Sequence, residues 1–147
     1  MALKTRTYNK VKWVNVWDPS IDKQWIDNYL VEYKTSWPDI RPEIEPVEVE
    51  GESASVFYLR SLTAGQLHKV DKLSGIEKVC EIVAYGLCSW ENMYNGEKVQ
   101  PATHTKDDLG ERLTAESVEF LSPFGFTDLS LLNIIAIQIM QLSRCLK

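Results

Sequence analysis

The chain has 147 residues, and its 21 Asp and Glu against 16 Lys and Arg give a formal net charge of −5. A chain of this length supports one compact domain. Hydrophobic residues at 44% and charged residues at 25% exclude a disordered or collagen-like polypeptide. The acidic balance argues against a dedicated nucleic-acid binder, which carries a basic excess or stripe.

Residues 1–7 read as frayed. From Tyr8 the run Tyr-Asn-Lys-Val-Lys-Trp-Val-Asn-Val-Trp predicts a strand of imperfect alternation through Val11 and Trp13. Asp18-Pro19 reads as a helix start, since Asp can cap free N–H groups and Pro suits a first turn. Ile21, Trp25, Ile26, Tyr29, Leu30 and Tyr33 follow as one apolar stripe, which stops at Trp37-Pro38. Residues 43–52 carry five glutamates and no base, so self-repulsion favours a solvated loop or short edge strand. Recognition of a basic partner is a second reading of that run. Ser55-Val-Phe-Tyr-Leu-Arg-Ser-Leu62 is rich in strand formers and could pair with the first strand.

The second half changes character. Thr63 and Gln66 have capping-box spacing, with Leu67, Val70 and Leu73 supporting a short helix after them. Ser74 can cap a second helix over about 76–90, whose buried stripe is expected to be Ile76, Val79, Cys80, Val83, Ala84 and Leu87. Asn92 to Pro101, centred on Asn95-Gly96, predicts a turn or small hairpin. Thr105 with Asp108, and then Thr114, read as further helix starts. Ser122-Pro123 closes the second of these helices, and Gly125 breaks the chain before the last one.

That last helix, 129–146, is apolar over most of its circumference. At 100° steps, Ser130, Asn133, Gln141 and Arg144 share one narrow side. Leu131, Leu132, Ile135, Ala136, Ile139, Leu142 and Leu146 fill the opposite arc, with Ile134, Ile137, Met140 and Cys145 on the flanks. A surface helix needs an apolar stripe only ~100° wide. The helix is therefore either central to its own domain or shared with a partner. Ser130, Asn133, Gln138, Gln141, Ser143 and Arg144 are too many polar groups for a lipid-exposed span. The first residues hold no apolar core of a signal peptide. The expectation is a soluble, cytoplasmic, α+β chain dominated by helices. Its residues 1–62 would form a small N-terminal antiparallel β element plus one helix and the acidic loop. Residues 63–147 would form a C-terminal helical bundle around the last helix.

Catalytic constellations are scarce. Cys80, Cys88 and Cys145 are odd in number and form no C-x-x-C pair, which points to free thiols in a reducing compartment. His68 stands three residues before Asp71, and His104 stands beside Thr105, Asp107 and Asp108. Both settings read as a polar helix face or a cap, with a small metal-dependent hydrolase as the remote alternative. Glycine-rich phosphate loops, G-x-S-x-G and H-E-x-x-H do not occur. The expectation is a non-enzyme with no metal, nucleotide or other cofactor. Five tryptophans, Trp13, Trp17, Trp25, Trp37 and Trp90, either fill the core or anchor an interface.

Tyr58-Leu-Arg-Ser-Leu-Thr-Ala-Gly-Gln66, Glu77-Lys-Val-Cys-Glu-Ile-Val-Ala-Tyr-Gly-Leu-Cys-Ser-Trp-Glu-Asn92, a hairpin-like insert and Leu109-Gly-Glu-Arg-Leu-Thr-Ala-Glu116 succeed one another. Phe120-Leu-Ser-Pro-Phe124 and an aliphatic helix ending Gln-Leu-Ser-Arg complete the series. Over about residues 55–147 this order resembles the tail assembly chaperones of long-tailed bacteriophages; residues 1–54 lie outside the resemblance. It implies a protein of the host bacterial cytoplasm that coats the apolar tape-measure chain and brings tail-tube subunits to it, without nucleotide hydrolysis. The surface this suggests comprises Trp90, Phe124, Phe126, Leu131, Ile134, Ile137 and Met140, which could also serve self-association. Membrane and nucleic acid are not expected partners. A structural subunit of the virion, in tail, neck or head, is the alternative, favoured by the tryptophan-rich first half.

Overall fold

Strand-forming Val, Phe, Trp and Tyr side chains come together from three distant parts of the chain. In a computed structural model, which describes residues 11–14, 24, 27, 55–126 and 129–144, β1 (Val11–Val14), β2 (Val56–Leu59) and β3 (Leu87–Glu91) form an antiparallel sheet in that order. The expected pairing of the first strand with the run after Ser55 is found. Register sets Trp13 opposite Phe57 and Phe57 opposite Trp90, so the three rings share one face. Trp13 and Phe57 have centroids 5.7 Å apart, and the row continues through Trp90–Phe120 at 5.9 Å to Phe120–Phe124 at 5.4 Å.

α1 (Ala64–Asp71) begins with the predicted capping box: Thr63 Oγ1 accepts from Gln66 N–H, and Gln66 Oε1 accepts from Thr63 N–H. α2 (Gly75–Gly86) follows with Ser74 at its N-cap, although the Ser74 side chain makes no capping bond. β4 (Tyr94–Asn95) and β5 (Lys98–Val99) form the small hairpin expected around Asn95-Gly96. β6 (His104–Asp107) and β7 (Gly110–Leu113) form a second hairpin. α3 (Ala115–Leu121) starts under the Thr114 cap, whose hydroxyl accepts from Ser117 N–H. The short pair β8 (Gly125–Phe126) and β9 (Leu129–Ser130) leads into α4 (Leu131–Arg144).

The expected division into an N-terminal β element and a C-terminal helical bundle is incorrect. Seven of the nine strands in the described residues, β3 to β9, follow residue 63, and β3 completes the sheet begun by β1 and β2. Two locally ambiguous segments account for most of this. Leu87 and Trp90 continue the apolar rhythm of α2, and a run this short fits both a helix and a strand. Pairing with β2 decides for the strand, beginning where Arg60 N–H donates to Gly86 O at 2.8 Å. Around Thr105 and Asp108 the acidic side chains make a turn instead of a helix cap. Asp107 Oδ1 accepts from Leu109 N–H at 2.8 Å, and Gly110 has φ of +117°, which L side chains rarely adopt.

α4 lies in the core and packs along α2. Leu131, Leu132, Ile134, Ile135, Ala136, Ile139 and Leu142 are buried, while Ile137 is 50% exposed. Buried Ser143 accepts from Leu62 N–H at 2.9 Å and donates to Ile139 O, joining α4 to the segment before α1. Among the described residues no helix is long and apolar enough to cross a membrane. Gln24 and Asp27 are helical and exposed. The rest of the helix expected after Pro19, the glutamate run at 43–52, and Trp17, Trp25 and Trp37 lie outside the described residues.

Candidate functional site

Tyr85, in the last full turn of α2, is buried, but its hydroxyl reaches a polar cluster drawn from four elements. Lys69 Nζ of α1 donates to it at 3.0 Å, and it donates in turn to Asp107 Oδ2 of β6. Arg112 of β7 grips Glu81 of α2 with two bonds, Nη1 to Oε2 at 2.9 Å and Nη2 to Oε1 at 2.8 Å. Lys69 Nζ also lies 3.2 Å from Glu81 Oε2, and both cations sit about 5 Å from the Tyr85 ring centroid, at 5.2 Å for Lys69 and 5.0 Å for Arg112.

Each charge in the cluster is tuned by its neighbours. The Tyr85 hydroxyl, followed by the Leu109 amide and Arg112, holds the Asp107 carboxyl below its ordinary range. Burial opposes ionisation of Glu81, but the hydrogen bonds from Arg112 and Lys69 outweigh it and lower that carboxyl too. The bonds to Glu81 raise Arg112, and the bond with Tyr85 raises Lys69. Two cations balance two anions, so the cluster presents no net charge to a ligand and acts as a clamp. It fastens the β6–β7 hairpin onto α1 and α2. Gln66, which is buried, adds a bond from Nε2 to Leu109 O at 2.9 Å, and Arg60 donates from Nη2 to Glu111 O.

Beside this clamp an open groove of about 350 Å³ runs between α2 and α3. One wall is Ile76, Cys80 and Glu81 of α2; the other is Ala115, Val118 and Glu119 of α3, followed by Ser122. Leu132 of α4 contributes to the lining, and the Glu81–Arg112 pair stands at its polar part. Ile76 is 63% exposed on the groove's rim, so the expectation that it is buried is incorrect: the apolar stripe of α2 runs past the core into the open. Partial burial pushes the Cys80 thiol up, keeping it protonated and apolar in character. The arrangement can bury apolar side chains of another molecule. It offers no aligned nucleophile and base.

Of the seven residues predicted as an interaction surface, the six whose side chains are described do not form one exposed surface. Leu131 and Ile134 are buried, and Trp90 is buried with its indole N–H donating to Gln100 O at 2.6 Å. Phe124 and Met140 are partly buried against the core, and among the described members of the set Ile137 alone is exposed as a large apolar side chain. The Phe126 side chain lies outside the described residues. His68 and His104 are exposed on α1 and β6. Among the described residues no three His, Cys, Asp or Glu side chains converge as metal ligands.

Sequence reasoning missed both the clamp and the groove. The clamp had one readable signal, the four-residue spacing of Glu81 and Tyr85 on one helix face. Its Asp107 and Arg112 come from the 104–113 hairpin, where the Thr105–Asp108 spacing predicts a helix start. Ile76 and Cys80 were legible as part of a stripe, but the opposing wall of the groove was not. Comparison with protein-family models, with curated proteins and with solved structures found no match.

Proposed function

We propose that this chain is a noncovalent assembly chaperone of bacteriophage tails, holding apolar segments of tape-measure or tail-tube proteins in the host cytoplasm and catalysing no reaction. The observation that carries this reading is the open, largely apolar groove between α2 and α3, with Ile76 on its rim. Recognition of this kind buries apolar side chains of a partner helix between two helices. Each fully buried Leu- or Phe-sized side chain contributes about 1.5–3 kcal/mol, so a few such anchors give a reversible complex, as a chaperone that must release its client requires. The resemblance over about residues 55–147 supports the choice of tail proteins as clients.

Co-purification from phage-infected cells tests this. The chain should capture the tape-measure or tail-tube protein. Ile76→Asp, which places a charge on an exposed rim position, should reduce capture at an unchanged thermal midpoint. Mass spectrometry should find the chain in lysates and not in purified mature particles. Retention in particles would favour a structural virion subunit, and capture indifferent to Ile76→Asp would remove the groove from the reading.

A further inference from the structure

We infer that the groove selects a helical partner segment carrying Lys or Arg beside its apolar stripe, with Glu119 as the residue that reads that charge. This rests on the groove being the binding site and specifies the chemistry of its occupant. The charges along the groove are not equivalent. Glu81 and Arg112 saturate each other through two bonds, and Glu81 is also paired with Lys69, so neither offers an uncompensated charge. Glu119 lines the groove, is exposed, and makes no ion pair among the described residues. It stands on α3, which carries Glu116 and Glu119 and no base. It also falls in the last turn of that helix, where the backbone dipole disfavours an anion and favours a cation. A basic group docked there is attracted by both.

The walls decide the partner's backbone. Both are helices, whose main-chain groups are largely bonded within their own turns. An extended segment laid between them gains no main-chain partner from either helix, whereas a helix satisfies its own N–H and C=O groups. The occupant is accordingly an amphipathic helix with a cation at the flank facing α3.

Fluorescence anisotropy with two labelled peptides about 15 residues long, enough for helix to hold in water, tests this. Both carry the same Leu stripe at i, i+3, i+4 and i+7; one places Lys at the flanking position and the other Glu. The Lys peptide should bind the native chain about 1.5- to fivefold more tightly at low salt, the range of an exposed ion pair, and the advantage should shrink as salt screens it. Glu119→Lys should reverse the preference, Glu116→Lys off the groove lining should change it less, and Ile76→Asp should weaken both peptides alike. If Ile76→Asp weakens both while Glu119→Lys leaves the preference unchanged, the charge assignment is overturned and the groove survives. If Ile76→Asp affects neither peptide, the groove reading fails and takes this inference with it. A concentration-dependent dimer that Ile76→Asp abolishes would assign the groove to a second copy and overturn the inference as well.

Discussion

Replacing Gly86 by alanine probes the contact between α2 and α4 that sets the core. A Cβ at this position would lie 2.3 Å from Ile139 Cγ2, 2.6 Å from Cδ1 and 2.8 Å from Cγ1, where carbon atoms prefer about 3.5–4.0 Å. The nearest atom is attached directly to the β-branch, and a β-branched side chain in a helix has one strongly preferred χ1, so Ile139 cannot swing aside at its tip. Overpacking of this kind costs about 1–3 kcal/mol, while exchanging Gly for Ala in a helix returns at most about 1 kcal/mol, and less at a helix end. The net loss is about 1–2 kcal/mol, a fall in thermal midpoint of about 3–8 °C at this chain length. Ile139→Ala alone should cost about 2–5 kcal/mol, because Ile139 is fully buried, and it removes all three clashing atoms. In that background the added methyl enters vacated space, so Gly86→Ala should be neutral or stabilising. Urea unfolding of the native chain, both single variants and the double variant should give a favourable coupling of about 1–3 kcal/mol. An equal cost of Gly86→Ala in both backgrounds would refute the close approach of α2 to α4.

Further outcomes follow from the clamp and from α4. Glu81 and Asp107 hold their protons less tightly in the folded chain than in the unfolded one. Their contribution is therefore complete above the unfolded values near pH 4 and lost as pH falls through the lower folded values. Thermal midpoints should drop on acidification below about pH 4, and a Glu81→Gln/Asp107→Asn variant that keeps the full drop would contradict this. Tyr85→Phe removes the hydroxyl that joins Lys69 to Asp107 and should cost about 1–2 kcal/mol in urea titration; no loss would mean the clamp is dispensable. On α4, Ile134→Asp and Ile135→Asp should both unfold the chain, since an unpaired buried charge costs several kcal/mol, whereas Ile137→Asp at a half-exposed position should leave the circular dichroism melt nearly unchanged. Thr63→Ala deletes the cap of α1 and should lower stability by about 1 kcal/mol; an unaltered urea midpoint would show that the cap is redundant.

What was legible in the sequence was local. The capping box at Thr63 and Gln66, the Thr114 cap, the turn at Asn95-Gly96 and the apolar arc of the last helix depend on residues within a turn or two of each other. Each appears where the sequence put it, α4 at Leu131–Arg144 within the predicted 129–146. The tertiary structure decided what local signals leave degenerate. Leu87 and Trp90 suit a helix stripe or a strand equally, and pairing with Phe57 and its neighbours in β2 settled the matter. Asp107 and Asp108 suit a helix cap or a turn, and the bond from the Leu109 amide with the positive φ of Gly110 chose the turn. That choice turned 104–113 into a hairpin and carried Arg112 and Asp107 to Tyr85 and Glu81. On α4, the expectation groups Ile134 and Ile137 as flanks, but at 100° per residue Ile137 falls between Arg144 and Ser130 on the polar side and is half exposed, whereas Ile134 lies nearer the apolar arc and is buried. The clamp and the groove consist of side chains from separate elements, and their meeting is fixed by how those elements pack, which no spacing along the chain encodes.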